Sequence, residues 1–106
     1  MIIGIPVCQE IIAPRFDCAA EFLILELEGK EIVKRQVLSF VEQNPLRRAL
    51  LMIQVPVDTI ICSRIDNFSS RLLKDHRINI ISEQHGPIEE VLAGWLPRLV
   101  AAVGEE

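Results

Sequence analysis

Three cysteines, Cys8, Cys18 and Cys62, and one of the two histidines, His85, are the side chains of this 106-residue chain best suited to a soft or borderline metal or a metal–sulfur cluster. None of them stands in a local ligand motif. The sequence contains no CxxC, no HxxxH and no HExxH, so any metal site has to be assembled from separate loops. Each candidate also has an ordinary alternative. Cys62 follows Ile60-Ile61 in an apolar run, where a cysteine behaves as a small hydrophobe. Cys8 and Cys18 lie in less regular sequence and are less committed to a core. His85 directly precedes Gly86-Pro87 at a helix start, where the neutral, metal-binding imidazole and bound anions are both favoured; the alternative is a solvated loop histidine. His76, after Lys74-Asp75 at a helix end, reads as structural.

Charged residues near these positions suggest electrostatic support. Arg64, in CSRIDN, is placed to meet an anion at the start of a helix, and Arg15 is placed to approach the same edge from an earlier loop. Surface salt bridges to Asp17 or Asp66 are the competing use of both arginines. Asp17 and Asp66 themselves fit turn and cap roles. Catalysis finds little support: Ser63 and Ser82 lack a nucleophile elbow, there is no Gly-rich phosphate loop, and the first strand offers no carboxylates to hold paired metal ions.

These residues must be positioned by the elements around them. IIGIPV (2–7) reads as a buried strand, although Pro6 removes a ladder donor. Residues 8–17 read as a loop containing Pro14. A strand over 20–27, the turn Glu28-Gly29-Lys30 and the run EIVKRQVLSF (31–40) predict an antiparallel hairpin. Asn44-Pro45 is a helix start, Asn as cap and Pro at the first helical position; that helix should stop near Val55-Pro56. VDTIIC (57–62) is a strand, Asp66 or Asn67 caps a helix through FSSRLLKDH, INIIS (78–82) is a strand, and Gly86-Pro87 opens a last helix that Pro97 should kink or divide. Trp95, at helical spacing from Val91, Leu92 and Leu99, reads as a core anchor. The order βββαβαβα predicts a mixed sheet covered by helices. With the first strand beside the fourth, Cys8, Cys62 and His85 fall at the carboxyl edge of the sheet, where ligands bind in open α/β folds, and Cys18 lies on the return path nearby.

Composition sets the boundaries. The chain is half hydrophobic, with four Phe, one Trp and no Tyr, and is long enough to fold as one domain, 1–106, without disulfides or structural metal. Its formal charge of -4 leaves no basic stripe for nucleic acid or anionic membrane. The start, MIIGIPV, lacks a positively charged region, and no run approaches the roughly 20 apolar residues of a membrane span. A cytoplasmic location with three free thiols is therefore expected.

Five stretches, MIIGIPV, PRFDCAAEFLILELEGKEI, VDTIICSRI, LLKDHRINIIS and GPIEEVLAGWL, together resemble the dinitrogenase iron-molybdenum cofactor biosynthesis family, the NifX/NifB-type accessory domains, in the same order over nearly the whole chain. That resemblance implies a ribonuclease-H-like three-layer α/β/α fold with a mixed five-stranded sheet. It also implies a non-catalytic carrier of an iron-sulfur or iron-molybdenum-sulfur cluster, or of a precursor, that works with a cofactor-assembly or acceptor protein. Arg15, Cys18, Ser63 and Arg64 are then the expected cofactor-contacting residues, and Cys18, Cys8, Cys62 and His85 the expected metal ligands. Two departures stand out. Many relatives carry Ser-x-His-Phe-Gly in the first loop, where this chain reads Ala13-Pro14-Arg15-Phe16-Asp17, so that Arg15 replaces the histidine. Relatives also commonly have Gly after the fourth-strand cysteine, where this chain has Ser63. The alternative is a metal-free interaction or regulatory module using the same edge or an exposed strand, and a homodimer through the third strand is compatible with the pattern.

Overall fold

The structure is a computed structural model that describes residues 1–39 and 44–104. Phe40, expected to end the third strand, and Glu105-Glu106 of the acidic tail lie outside the described residues. The elements are β1 (Ile2–Cys8), β2 (Ile11–Ile12), a 3-10 turn (Phe16–Cys18), β3 (Glu21–Glu28), β4 (Glu31–Ser39), α1 (Pro45–Gln54), β5 (Thr59–Ile61), α2 (Asn67–Asp75), β6 (Asn79–Ile81) and α3 (Ile88–Gly104). The expected order is recovered, with one correction. The segment read as a plain loop over 8–17 contains the two-residue strand β2, which folds back antiparallel on β1 with Cys8 opposite Ile11. Gln9 makes the reversal in the left-handed backbone region at φ 59°.

The main path of the sheet runs β4-β3-β1-β5-β6, with β1, β3 and β4 antiparallel and β1, β5 and β6 parallel. This is the mixed, three-layer α/β arrangement that the sequence predicts, with β2 as a sixth short strand. Pro6 sits in central β1 without cost to the β5 ladder, because those two strands pair only at Ile3 and Gly4. The β3–β4 hairpin turns through Gly29 at φ 58°, a conformation glycine enters without a Cβ penalty.

Strand alternation divides the core in two. Ile3, Ile5 and Val7 of β1, Leu23, Leu25 and Leu27 of β3, and Ile61 of β5 pack with Ile88, Leu92 and Leu99 of α3. The opposite parity, Phe22, Ile24, Ile60 and Cys62, packs with Ala49 and Met52 of α1 and Leu73 of α2. Gly4 belongs to the second face. A Cβ there would lie 3.0 Å from Met52 Sδ and 3.1 Å from Val57 Cγ1, so the missing side chain lets β1 pass closely under α1.

The caps follow the sequence. Asn44 accepts a hydrogen bond from the Leu46 amide at 2.9 Å with Pro45 in the first turn, and Asp66, rather than Asn67, accepts from the Ser69 amide at 2.9 Å. Pro97 does not divide α3, which is helical from Ile88 to Gly104. Trp95 is half-buried against the α3 face of the core, as expected, and its Nε1 donates to Gln84 Oε1 at 2.9 Å. No helix is long and apolar enough to cross a membrane.

Candidate functional site

Since β1, β5 and β6 are neighbouring parallel strands, their carboxyl ends lie along one edge, and three loops meet there. Backbone hydrogen bonds lace them together. The Ala13 amide donates to the Pro6 carbonyl at 2.8 Å, Ile12 to Gly86 at 3.0 Å, and Ile88 to Glu10 at 2.9 Å. The loop after β6 returns to the loop after β5, with Glu83 donating to Ser63 at 2.8 Å and Gln84 to Cys62 at 3.1 Å. Arg15 and Arg64 form an isolated parallel bridge, in which the Phe16 amide donates to the Arg64 carbonyl at 2.8 Å and the Arg64 amide to the Pro14 carbonyl at 3.3 Å. The first loop is therefore fastened to the edge of the sheet as if it were a further, irregular strand.

Cys8 and Cys18 are exposed free thiols, and both line a cavity of about 330 Å³ together with Val7, Ala13 and Arg15. Cys18 ends the 3-10 turn that opens with buried Phe16. That turn is held by a residue the sequence reading passed over. Arg48 of α1 is fully buried and donates through Nη1 to the carbonyls of Phe16 and Ala19, which bracket Cys18. Burial pushes the Arg48 guanidinium below its ordinary pKa, while the charges of Cys18 and Asp17 act in the opposite direction. On the outer side, Arg15 grips Asp17 with two hydrogen bonds of 3.0 Å, Nε to Oδ1 and Nη2 to Oδ2. This contact, then the charges of Asp17 and Cys18, hold its pKa above the ordinary value. Cys18 thus lies in the field of two guanidinium groups, an arrangement suited to an anionic bound cluster. The one sequence signal for Arg48 was a basic pair, Arg47-Arg48, within an otherwise amphipathic helix.

Cys62 occupies a different environment. It is fully buried in the α1/α2 side of the core, and burial, then the charge of Glu83, pushes its thiol up to about 12. The geometry therefore favours the small-hydrophobe alternative for Cys62 and leaves it apart from Cys8 and Cys18. Arg64 and His85 are exposed and line a second cavity of about 440 Å³ with Arg15, Ser63 and Ile11. Ser63 is buried, and its Oγ lies 2.9 Å from His85 Nδ1. Arg64 does not share helix amides with an anion at the start of α2, because Asp66 already caps that end.

The four metal candidates thus separate into an exposed thiol pair, an imidazole in the neighbouring cavity and a core thiol. Among the described residues, no three His, Cys, Asp or Glu side chains converge to hold a metal ion. A closed mononuclear site does not fit that donor set. Two thiols beside cationic side chains do fit the open attachment of a larger, anionic metal–sulfur cargo that brings its own bridging sulfides.

Solved structures share this fold at low sequence identity. One from Methanocaldococcus jannaschii, described as a candidate dinitrogenase, superposes with a TM-score of 0.78 at 16% identity, covering 92% of this chain and 89% of that one. The apo form of the orange protein from Desulfovibrio gigas gives 0.76 at 11% identity, covering 92% and 88%. A candidate NifB protein from Thermotoga gives 0.70 at 16% identity, covering 89% and 85%. No curated protein matches the chain in sequence. The family model described as dinitrogenase iron-molybdenum cofactor matches residues 1–98, and the chain belongs to that family.

Proposed function

We propose that this protein, acting as one domain over residues 1–106, is a non-catalytic cytoplasmic carrier for an iron-sulfur or iron-molybdenum-sulfur cluster or its precursor. The cluster is cargo, taken from an assembly protein and passed to an acceptor. Exposed Cys18 and Cys8, which line one cavity beside Arg15, carry this reading. Cys18 is the leading anchor because its turn is fixed from beneath by Arg48 and faces the charge of Arg15. Arg15 and Arg64 offset the negative charge of the cargo, and His85 stands in the adjoining cavity as an auxiliary donor. Membership of a family described by the iron-molybdenum cofactor supports the class of cargo.

Anaerobic reconstitution with iron, sulfide and molybdate, followed by metal analysis and visible absorbance, tests this directly. The wild type is expected to retain metal through desalting, with the Cys8→Ser/Cys18→Ser variant losing it and Cys62→Ala keeping it. No retention by the wild type, or equal retention by the double variant, rejects the assignment.

A metal-free interaction module is the second reading, favoured by β4. This edge strand is exposed along nearly its whole length, with Val33 and Val37 about half exposed at 49% and 53%. A second copy or a partner protein would pair with it there. Sedimentation of the apo-protein distinguishes the readings: a dimer or hetero-complex that survives replacement of Cys8 and Cys18 supports the module.

A further inference from the structure

The cavity shared by Arg15, Arg64, Ser63 and His85 carries chemistry that the thiol cavity does not. No carboxylate and no thiol lines its volume of about 440 Å³, and its remaining walls are the apolar Ile11 and Ile12, Pro14 and Gly86. Arg64 makes no salt bridge among the described residues. Ser63 is only 4% exposed, and its hydroxyl lies 2.9 Å from His85 Nδ1, which fixes the imidazole by one nitrogen and leaves Nε2 without a hydrogen bond among the described residues. Arg15 shows what kind of ligand its guanidinium accepts in this place. It holds two oxygens of one group, Asp17 Oδ1 and Oδ2, each at 3.0 Å. A tetrahedral oxyanion presents a similar pair of oxygens along one edge and keeps two more for other donors.

We infer that this cavity is a binding site for a small tetrahedral oxyanion, with Arg64 and the Ser63-fixed His85 as principal donors and Arg15 exchanging Asp17 for the ligand. Asp17 acts as a built-in competitor. Its carboxylate occupies the Arg15 fork when the cavity is empty, so affinity is set by the difference between the two anions at that fork. Arg15 also lines the thiol cavity, so a ligand that draws it from Asp17 alters the charge facing Cys18. The site shares Arg15, Arg64 and His85 with the cluster-carrying edge proposed above but does not rest on its thiols.

Isothermal titration calorimetry of the full chain with phosphate, sulfate and molybdate, each in a low-salt buffer, tests the inference. At least one of the three is expected to bind saturably at one site per chain. Arg64→Gln is expected to weaken binding by about tenfold or more, and Asp17→Asn to tighten it by about threefold or more, with thermal melts confirming that both variants fold. Oxyanion binding unchanged in Cys8→Ser/Cys18→Ser, the variant that should lose cluster retention, supports an anion site that does not need the thiols. Absence of saturable binding to all three anions overturns the inference, as does binding that is indifferent to Arg64→Gln and His85→Ala. Either result leaves the cluster assignment standing on its own test.

Discussion

At the scale of single residues, the three cysteines show how one side-chain type acquires different chemistry from its surroundings. Cys62 directly follows β5 with its sulfur in the core, whereas Cys8 and Cys18 lie at the strand end and in the turn, open to solvent. Native alkylation followed by intact-mass analysis is expected to add two adducts, at Cys8 and Cys18, and a third only in denaturant, because a buried thiol held at about 12 offers neither access nor thiolate. A native third adduct would contradict the placement of Cys62. The apolar neighbours Ile60-Ile61 announced this outcome, since in strand alternation Cys62 shares a face with Ile60. For Arg15 the sequence offered two uses, anion support or a salt bridge to Asp17, and the structure shows the salt bridge made, with the residue still bordering both cavities.

The candidate edge depends on how neighbouring elements hold the first loop. That loop lacks periodicity, yet it is fixed by β2, by the bridge to Arg64 and by Arg48 reaching up from α1. A buried guanidinium is tolerated because the Phe16 and Ala19 carbonyls, on either side of the turn, accept hydrogen bonds from its Nη1. Arg48→Met is therefore expected to cost about 2–4 kcal/mol, since it leaves buried carbonyls without their charged donor. Urea unfolding of the variant measures this, and a loss below roughly 0.5 kcal/mol would show that the turn stands without Arg48. The same variant should alter the alkylation rate of Cys18 relative to wild type and leave that of Cys8 unchanged, since only the Cys18 turn rests on that contact.

For the molecule as a whole, the core thiol links folding to alkaline pH. Well below pH 9 Cys62 is protonated in both folded and unfolded chains and contributes no pH dependence. Between its ordinary value of 9.0 and about 12 the unfolded chain ionises while the folded one does not, so folding stability falls as pH rises. Relative to Cys62→Ala, the wild type is expected to lose about 1.4 kcal/mol for each pH unit in that window. Chemical denaturation at pH 8 and pH 10.5 checks the slope, and parallel curves for the two proteins would refute it.

What the sequence determined by itself was the local chemistry: apolar alternation for the strands, Asn44-Pro45 and Asp66 for the helix starts, and Gly29 for the hairpin. The strand and helix order followed, and the order, together with the five quoted stretches, was enough to indicate the family. Tertiary structure alone decided which thiols share a cavity, that Arg48 leaves the solvent face of its helix to support Cys18, and that Ser63 fixes His85. Those relations span 10 to 32 positions in the chain and arise when separate loops are fastened to one sheet edge. No pattern of neighbouring residues encodes them, because periodicity reports which way a side chain faces and not what it meets there.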